Sequence, residues 1–445
     1  MKYLIALGIM ATGLCAMANG TANSQSNILN ASTDVQTEQQ ANDLSDQESE
    51  SPAVQQGQAP RIPLDISSAE YQQLLQKSTS RFSRADAQIE EILRVGKRNL
   101  DWLRNINSKR NSKLSFTGPH TRVGFPINAP KKYNNRTIVQ DYNQRLAALP
   151  ENMRVVLLSR SPVPDMLPLS EDAYVKLGRE IDTSYQNAAR WKVMLPYLRS
   201  LEERRAEDIR GWYFLNQDPQ LESKLTQFSR LPQAEQTQLS NYLVGVCFNS
   251  RENYAECGRI LNQKIAENRV LEFYQGYKNR SQQIWNDFFQ IKRSSYLYAA
   301  KRVNGGLYVP FKPVDRDDMR SFLKDNLEQE WQWPGFRVFI DFAYVIGAVE
   351  VIWKPGVTPH VPHLGSHQIV MDANTSLTEY EVQWTIKHEF GHNLGFPDCY
   401  TEFFERETGL IVAYQMDITD IMCSRKGNIK KRHMDELLKI YGGRL

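Results

Sequence analysis

The sequence predicts an α+β protein in which a mainly α-helical region precedes a smaller region of mixed strands and helices. Three observations lead there. Apolar residues recur at helical spacing through residues 62–304. After Asn304-Gly305-Gly306 the pattern changes to short β-branched and aromatic runs set between helical stretches. The chain has 445 residues, and a single hydrophobic core stops growing near roughly 250 to 300 residues, so more than one domain is expected.

Taken in order, Lys2 precedes the apolar run Tyr3 to Met17, and Ala16-Met17-Ala18 is a small-x-small site. This reads as a signal peptide over residues 1–18, cut before Asn19, and places the protein in a secreted or periplasmic location. The run is shorter than the roughly 20 apolar residues that span a bilayer. Leu14 also stands where a small residue normally precedes a lipidated cysteine, which argues against lipidation of Cys15. Residues 19–61 are Gln, Ser, Asn, Glu and Ala with almost no large apolar side chain. They cannot bury enough surface to offset their ordering entropy and read as a disordered polar leader.

Residues 62–304 read as a helical accessory or pro domain. Ile89, Ile92, Leu93, Leu100 and Leu103 share one helical stripe, and Trp191, Leu195, Leu198 and Leu201 another. Met153 to Leu158 is the one run there that reads as a short strand. Cys247 and Cys257 flank the polar break Asn249 to Asn253, where a disulfide would clamp a helical hairpin. Trp285 to Phe289 reads as core.

In residues 305–445, Asp317 to Glu330 reads as a helix, and Phe336 to Tyr344, Val349 to Trp353 and Gln368 to Met371 as strands. A further helix opens at Thr378, where Thr378 and Glu381 have the spacing of a capping box. The last helix runs from Lys431 to Tyr441.

Composition narrows the partners. Apolar residues at 41% and charged residues at 24% are those of a soluble globular chain. A net charge of +3 is too small to create the field that phosphate backbones select, so nucleic acid is not an expected partner. No segment after the leader is long and apolar enough to insert stably into a membrane. Oligomeric state is not legible.

Chemistry concentrates in His388-Glu389-Phe390-Gly391-His392-Asn393-Leu394-Gly395-Phe396-Pro397-Asp398. Residues four apart share a helix face, so His388 and His392 can present two imidazoles to one ion, with Glu389 beside it. Val382, Ile386, Phe390 and Leu394 form an apolar stripe on roughly the opposite side. Gly395 supplies a left-handed end to the helix and Pro397 forbids its continuation, which lets Asp398 return as a third ligand. Three protein ligands with a fourth position for water is the arrangement of catalytic zinc, with Glu389 as general base.

This stretch resembles the extended zinc signature of the metzincin metallopeptidases, in the Asp variant found in snapalysin-like members. The resemblance covers about Val309 to Leu445. It implies a metzincin-like catalytic domain: a twisted mixed sheet, an active-site helix, a methionine turn and a C-terminal helix. It also implies one zinc ion, a protein or peptide substrate and endopeptidase action. Asp420-Ile421-Met422-Cys423-Ser424 matches the methionine turn, with Met422 beneath the metal. Asp398 departs from the His most relatives carry. If both segments approach the metal as in that family, Cys399 and Cys423 pair, leaving Cys247 with Cys257. Sequence alone permits three pairings of these four.

His360, His363 and His367 read as polar loop residues, because no carboxylate pattern accompanies them. An extended substrate is expected to pair with the strand at Gln368 to Met371. Two other readings remain open: an exported binding or scaffold protein with a vestigial metal site, and a zinc amidase acting on a cell-wall linkage.

Overall fold

The computed structural model describes residues 68–116, 124–292, 297–355, 357, 359–373 and 375–441. The signal peptide expected over 1–18 and the leader expected over 19–61 lie outside the described residues. Helices and small sheets are both present, helix predominating, which agrees with the α+β class.

Two compact units are formed. Within the described residues, one comprises 88–205 together with 283–441, and the other comprises 68–87 and 206–282. The first unit therefore crosses the boundary expected between residues 304 and 305.

Its first part contains α1 (Ser68–Ser108, from residue 88 on), β1 (Lys131–Tyr133), α2 (Asn135–Ala147), α3 (Glu151–Leu158) and α4 (Glu171–Met194). The expected α1 stripe is buried at Ile89, Ile92 and Leu100, where Val95, Trp102 and Ile106 join it. α3 corrects the strand expected at Met153 to Leu158. Met153 and Leu157 are its buried residues, and their i, i+4 spacing is helical. Val155 lies on the exposed side, so the β-branched pair Val155-Val156 gives no strand.

After Asn304 come β3 (Gly306–Phe311), α5 (Asp317–Glu330), β5 (Phe336–Phe342), β6 (Glu350–Lys354) and β7 (Gln368–Asp372). α6 (Tyr380–Asn393), β8 (Tyr400–Glu405), β9 (Leu410–Gln415) and α7 (Lys431–Tyr441) follow. Two shorter strands, β2 (Lys301–Val303) and β4 (Gln332–Trp333), lie at the margins of the first sheet, whose order is β2-β3-β5-β4. β3 and β5 are parallel and α5 connects them; β6 and β7 are parallel as well. A bridge from Phe311 to Val349 links β3 to the start of β6.

β8 and β9 form an antiparallel hairpin, and β1 adds to it by pairing Lys131 with Ala413 and Tyr133 with Ile411. Beneath this sheet the buried Glu402 of β8 is paired with Arg190 of α4 and accepts the Tyr133 hydroxyl. A segment early in the chain thus completes the sheet that follows the candidate site.

The second unit is helical. Gln233–Arg251 and Tyr254–Ala266 form the expected hairpin. Glu252 takes the left-handed conformation between them (φ 57°), and Asn253 caps the second helix by accepting from the Glu256 N–H. Cys247 and Cys257 are bridged across it, with Cα atoms 5.7 Å apart.

Candidate functional site

α6 is built to present the H-E-x-x-H stretch. Val382, Ile386, Phe390 and Leu394 are all buried, as the periodicity predicts. Gly395 takes φ 100°. Its N–H donates to the His392 carbonyl and the Phe396 N–H to the Gly391 carbonyl, both at 3.0 Å. These two bonds satisfy the last carbonyls of the helix and turn the chain back. The start of the helix differs from expectation. Glu379 is the N-cap, and the Thr378 hydroxyl bonds Ser376 Oγ at 2.9 Å, so no capping box forms with Glu381.

Both imidazoles are oriented from behind. His388 Nδ1 lies 2.8 Å from the Ile421 carbonyl oxygen and His392 Nδ1 lies 2.8 Å from that of Phe396. A carbonyl only accepts, so each Nδ1 carries the proton and each Nε2 keeps a lone pair. The two Nε2 atoms converge on Asp398 Oδ1, at 3.2 and 3.3 Å. That oxygen is buried and receives no hydrogen bond.

Three lone pairs facing one another at this range repel unless positive charge stands between them. A tetrahedral ion with bonds of ~2.0 Å has ligand-to-ligand edges of ~3.3 Å, and both edges at Asp398 Oδ1 match that value. Burial works to lower the His392 pKa, but the Asp398 carboxylate outweighs it and raises the value to about 9. Burial works to raise Asp398, and the two imidazoles outweigh it, holding the carboxyl far below the usual range. His388, His392 and Asp398 are the three sequence candidates, and all three meet at one point.

Glu389 is buried beside them, and its charge acts on His392. Met422 is 1% exposed and lies directly under α6. A Cβ at Gly391 would stand 2.2 Å from Met422 Sδ and 2.9 Å from the Trp331 ring, so only glycine lets the turn approach this closely. Trp331 completes the floor: its Nε1 donates to the Lys387 carbonyl at 3.1 Å, and its ring packs on Phe390 and Phe396. Cys399 and Cys423 are bridged, with Cα atoms 4.4 Å apart. The Cys399 N–H also donates to the Met422 carbonyl, which ties the segment carrying Asp398 to the turn.

The sequence assigns no separate role to Gly391, Trp331 or the buried Asp420. Gly391 did leave a signal: glycine inside a helix costs about 1 kcal/mol relative to alanine and calls for a packing reason.

His360, His363 and His367 belong to no second ligand cluster among the described residues. His367 instead packs edge-on against Tyr298, and burial lowers its pKa. The segment does support the site, since the Gly365 N–H donates to the His392 carbonyl at 2.9 Å. The strand expected to receive substrate is not a free edge. β6 pairs with one side of β7, and His360 closes the other by exchanging two backbone hydrogen bonds with Val370, of 3.0 and 2.9 Å.

No helix among the described residues is long and apolar enough to cross a membrane. Comparison of the chain with protein-family models, curated proteins and solved structures returned no match.

Proposed function

We propose that this chain is an exported zinc metalloendopeptidase of metzincin type. The observation that carries the reading is the convergence of His388 Nε2, His392 Nε2 and Asp398 Oδ1, with both Nδ1 atoms committed to carbonyls. Two imidazoles and one carboxylate form a donor set suited to zinc, and three protein ligands leave a coordination position for water. The left-handed turn at Gly395 and Met422 beneath the helix support the family reading. So does the placing of a parallel β3-α5-β5 unit ahead of α6.

When bound, zinc supplies Lewis acidity toward a carbonyl oxygen and lowers the pKa of its water. The remaining work falls to the protein. Glu389, adjacent in sequence to His388 and buried beside the ligands, accepts the proton of the attacking water at its carboxylate and returns it to the leaving amine. The carbonyls of Ile421 and Phe396 hold the imidazoles in the tautomer that leaves Nε2 unprotonated.

Incubation of the purified chain with a diverse peptide library, with and without a chelator, tests the reading. Cleavage is expected, and the chelator should abolish it. Glu389→Gln should keep zinc and lose about 100-fold to 10,000-fold in kcat, the range for loss of a general base. Equal cleavage by both proteins, or none by either with zinc bound, would favour the binding or scaffold reading. Cleavage of a cell-wall amide but of no peptide would favour the amidase.

A further inference from the structure

The buried carboxylate of Asp420 has no part in the reaction as proposed, yet it meets the metal site through a single peptide plane. Asp420 is fully buried. Its Oδ1 accepts the Met422 N–H at 2.7 Å. That N–H belongs to the same planar peptide unit as the Ile421 carbonyl, whose oxygen takes the His388 Nδ1–H at 2.8 Å. Fixing one end of a rigid plane fixes the other, and a carboxylate on the N–H also strengthens the carbonyl as an acceptor.

α7 holds the carboxylate in turn. The Lys430 N–H donates to His433 Nδ1 at 2.9 Å, which leaves the proton on His433 Nε2, 3.1 Å from Asp420 Oδ2. Arg432 Nε donates to the same oxygen at 2.9 Å, and its Nη2 reaches both Asp420 and Asp417. The His433 ring is held between Phe396 and Trp331, two residues already in the floor of the site.

We infer that Asp420 is a positioning residue for His388, joined to α7 through His433 and Arg432, and that this relay sets the affinity of the site for zinc. The inference rests on the proposed zinc site. Outer partners of a metal-bound histidine typically change metal affinity by about 10-fold to 100-fold.

The experiment is chelator competition for zinc on the full chain, with cobalt spectra of the same proteins reporting coordination. Asp420→Asn and His433→Gln should weaken zinc by about 10-fold or more and shift the cobalt bands, with KM for peptide unchanged. Glu436→Ala is the control. Glu436 lies on the same helix and accepts the Ile291 N–H at 3.1 Å, away from the turn; it should lower Tm and leave zinc affinity in place. If Asp420→Asn does not fold, His433→Gln decides. Wild-type zinc affinity in a folded Asp420→Asn or His433→Gln protein overturns the relay while the zinc reading stands. So does an equal loss in Glu436→Ala. A wild-type protein that takes up no zinc overturns the proposed function itself.

Discussion

At the scale of single residues, the site depends on what is missing from a side chain as much as on what is present. Gly391 stands between the two histidines, and a methyl group there would meet Met422 Sδ at 2.2 Å. Met422 and Trp331 are both buried, so neither can yield at little cost. Gly391→Ala should therefore destabilise by about 1 to 3 kcal/mol, the range for overpacking a filled core, although alanine favours a helix. Adding Met422→Ala should recover part of that loss. Urea midpoints of the two single variants and the double variant measure the coupling; strict additivity would mean that the two residues do not compete for space.

At the scale of elements, two disulfides, one spanning 10 residues and the other 24, do different work. Each constrains the unfolded chain, and removing either should cost about 3 kcal/mol on the chain-entropy account. Cys399, however, adjoins Asp398 and donates its N–H to the turn that carries Met422, whereas Cys247 and Cys257 clamp a hairpin of the other unit. Replacing Cys399 and Cys423 by serine should lower both Tm and zinc affinity. Replacing Cys247 and Cys257 should lower Tm alone, and a matching loss of zinc affinity there would refute the distinction.

What was legible at this scale follows from how local the determinants were. Asp317 to Glu330 and Lys431 to Tyr441 were read with their observed bounds, because apolar spacing and flanking breaks agree within each segment. Gly395 was legible because a left-handed helix end strongly favours glycine. Met153 to Leu158 suggests a strand because Val155-Val156 dominates a six-residue window, while the deciding i, i+4 burial of Met153 and Leu157 depends on packing. The unused cap at Thr378 shows the same limit: Ser376, two residues away, competes for its hydroxyl. The closing of β7 by His360 is set by a loop path that no residue pattern announces.

At the scale of the whole molecule, the catalytic reading of residues 305–445 depends on residues well before them. Glu402 sits on β8, four residues beyond Asp398, with 7% of its side chain exposed. Burial works to raise its pKa, and Arg190 outweighs that, holding the carboxyl below its ordinary value of 4.5. A depressed carboxylate contributes stability that is present above the unfolded pKa and lost as pH falls through the folded one. Arg190→Met should thus cost about 3 kcal/mol near neutral pH by leaving the buried carboxylate without its ion-pair partner. The difference should narrow in acid, where Glu402 takes a proton in the variant first. Urea titrations of both proteins across that range measure it, and a pH-independent difference would contradict the charge account.

The same contacts bear on whether residues 62–304 act as a removable prosegment. Cutting before Asn304 would strip β1 from β9, exposing the backbone groups that pair Lys131 to Tyr133 with Ile411 to Ala413. It would also take away the Arg190 guanidinium and the Tyr133 hydroxyl that bond the Glu402 carboxylate. An uncovered sheet edge, together with the β8 surface that Arg190 and Tyr133 now cover, is large against the 5 to 15 kcal/mol that ordinarily holds a domain folded. A chain of residues 305–445 expressed alone should lack fixed tertiary structure, with weak near-ultraviolet dichroism and no cooperative urea transition. Time-resolved mass mapping of the protein from its native host gives the matching readout: trimming should stop short of β1. A stable, zinc-binding fragment beginning near residue 304 would show that the early segments are dispensable to the fold and would restore the prosegment reading.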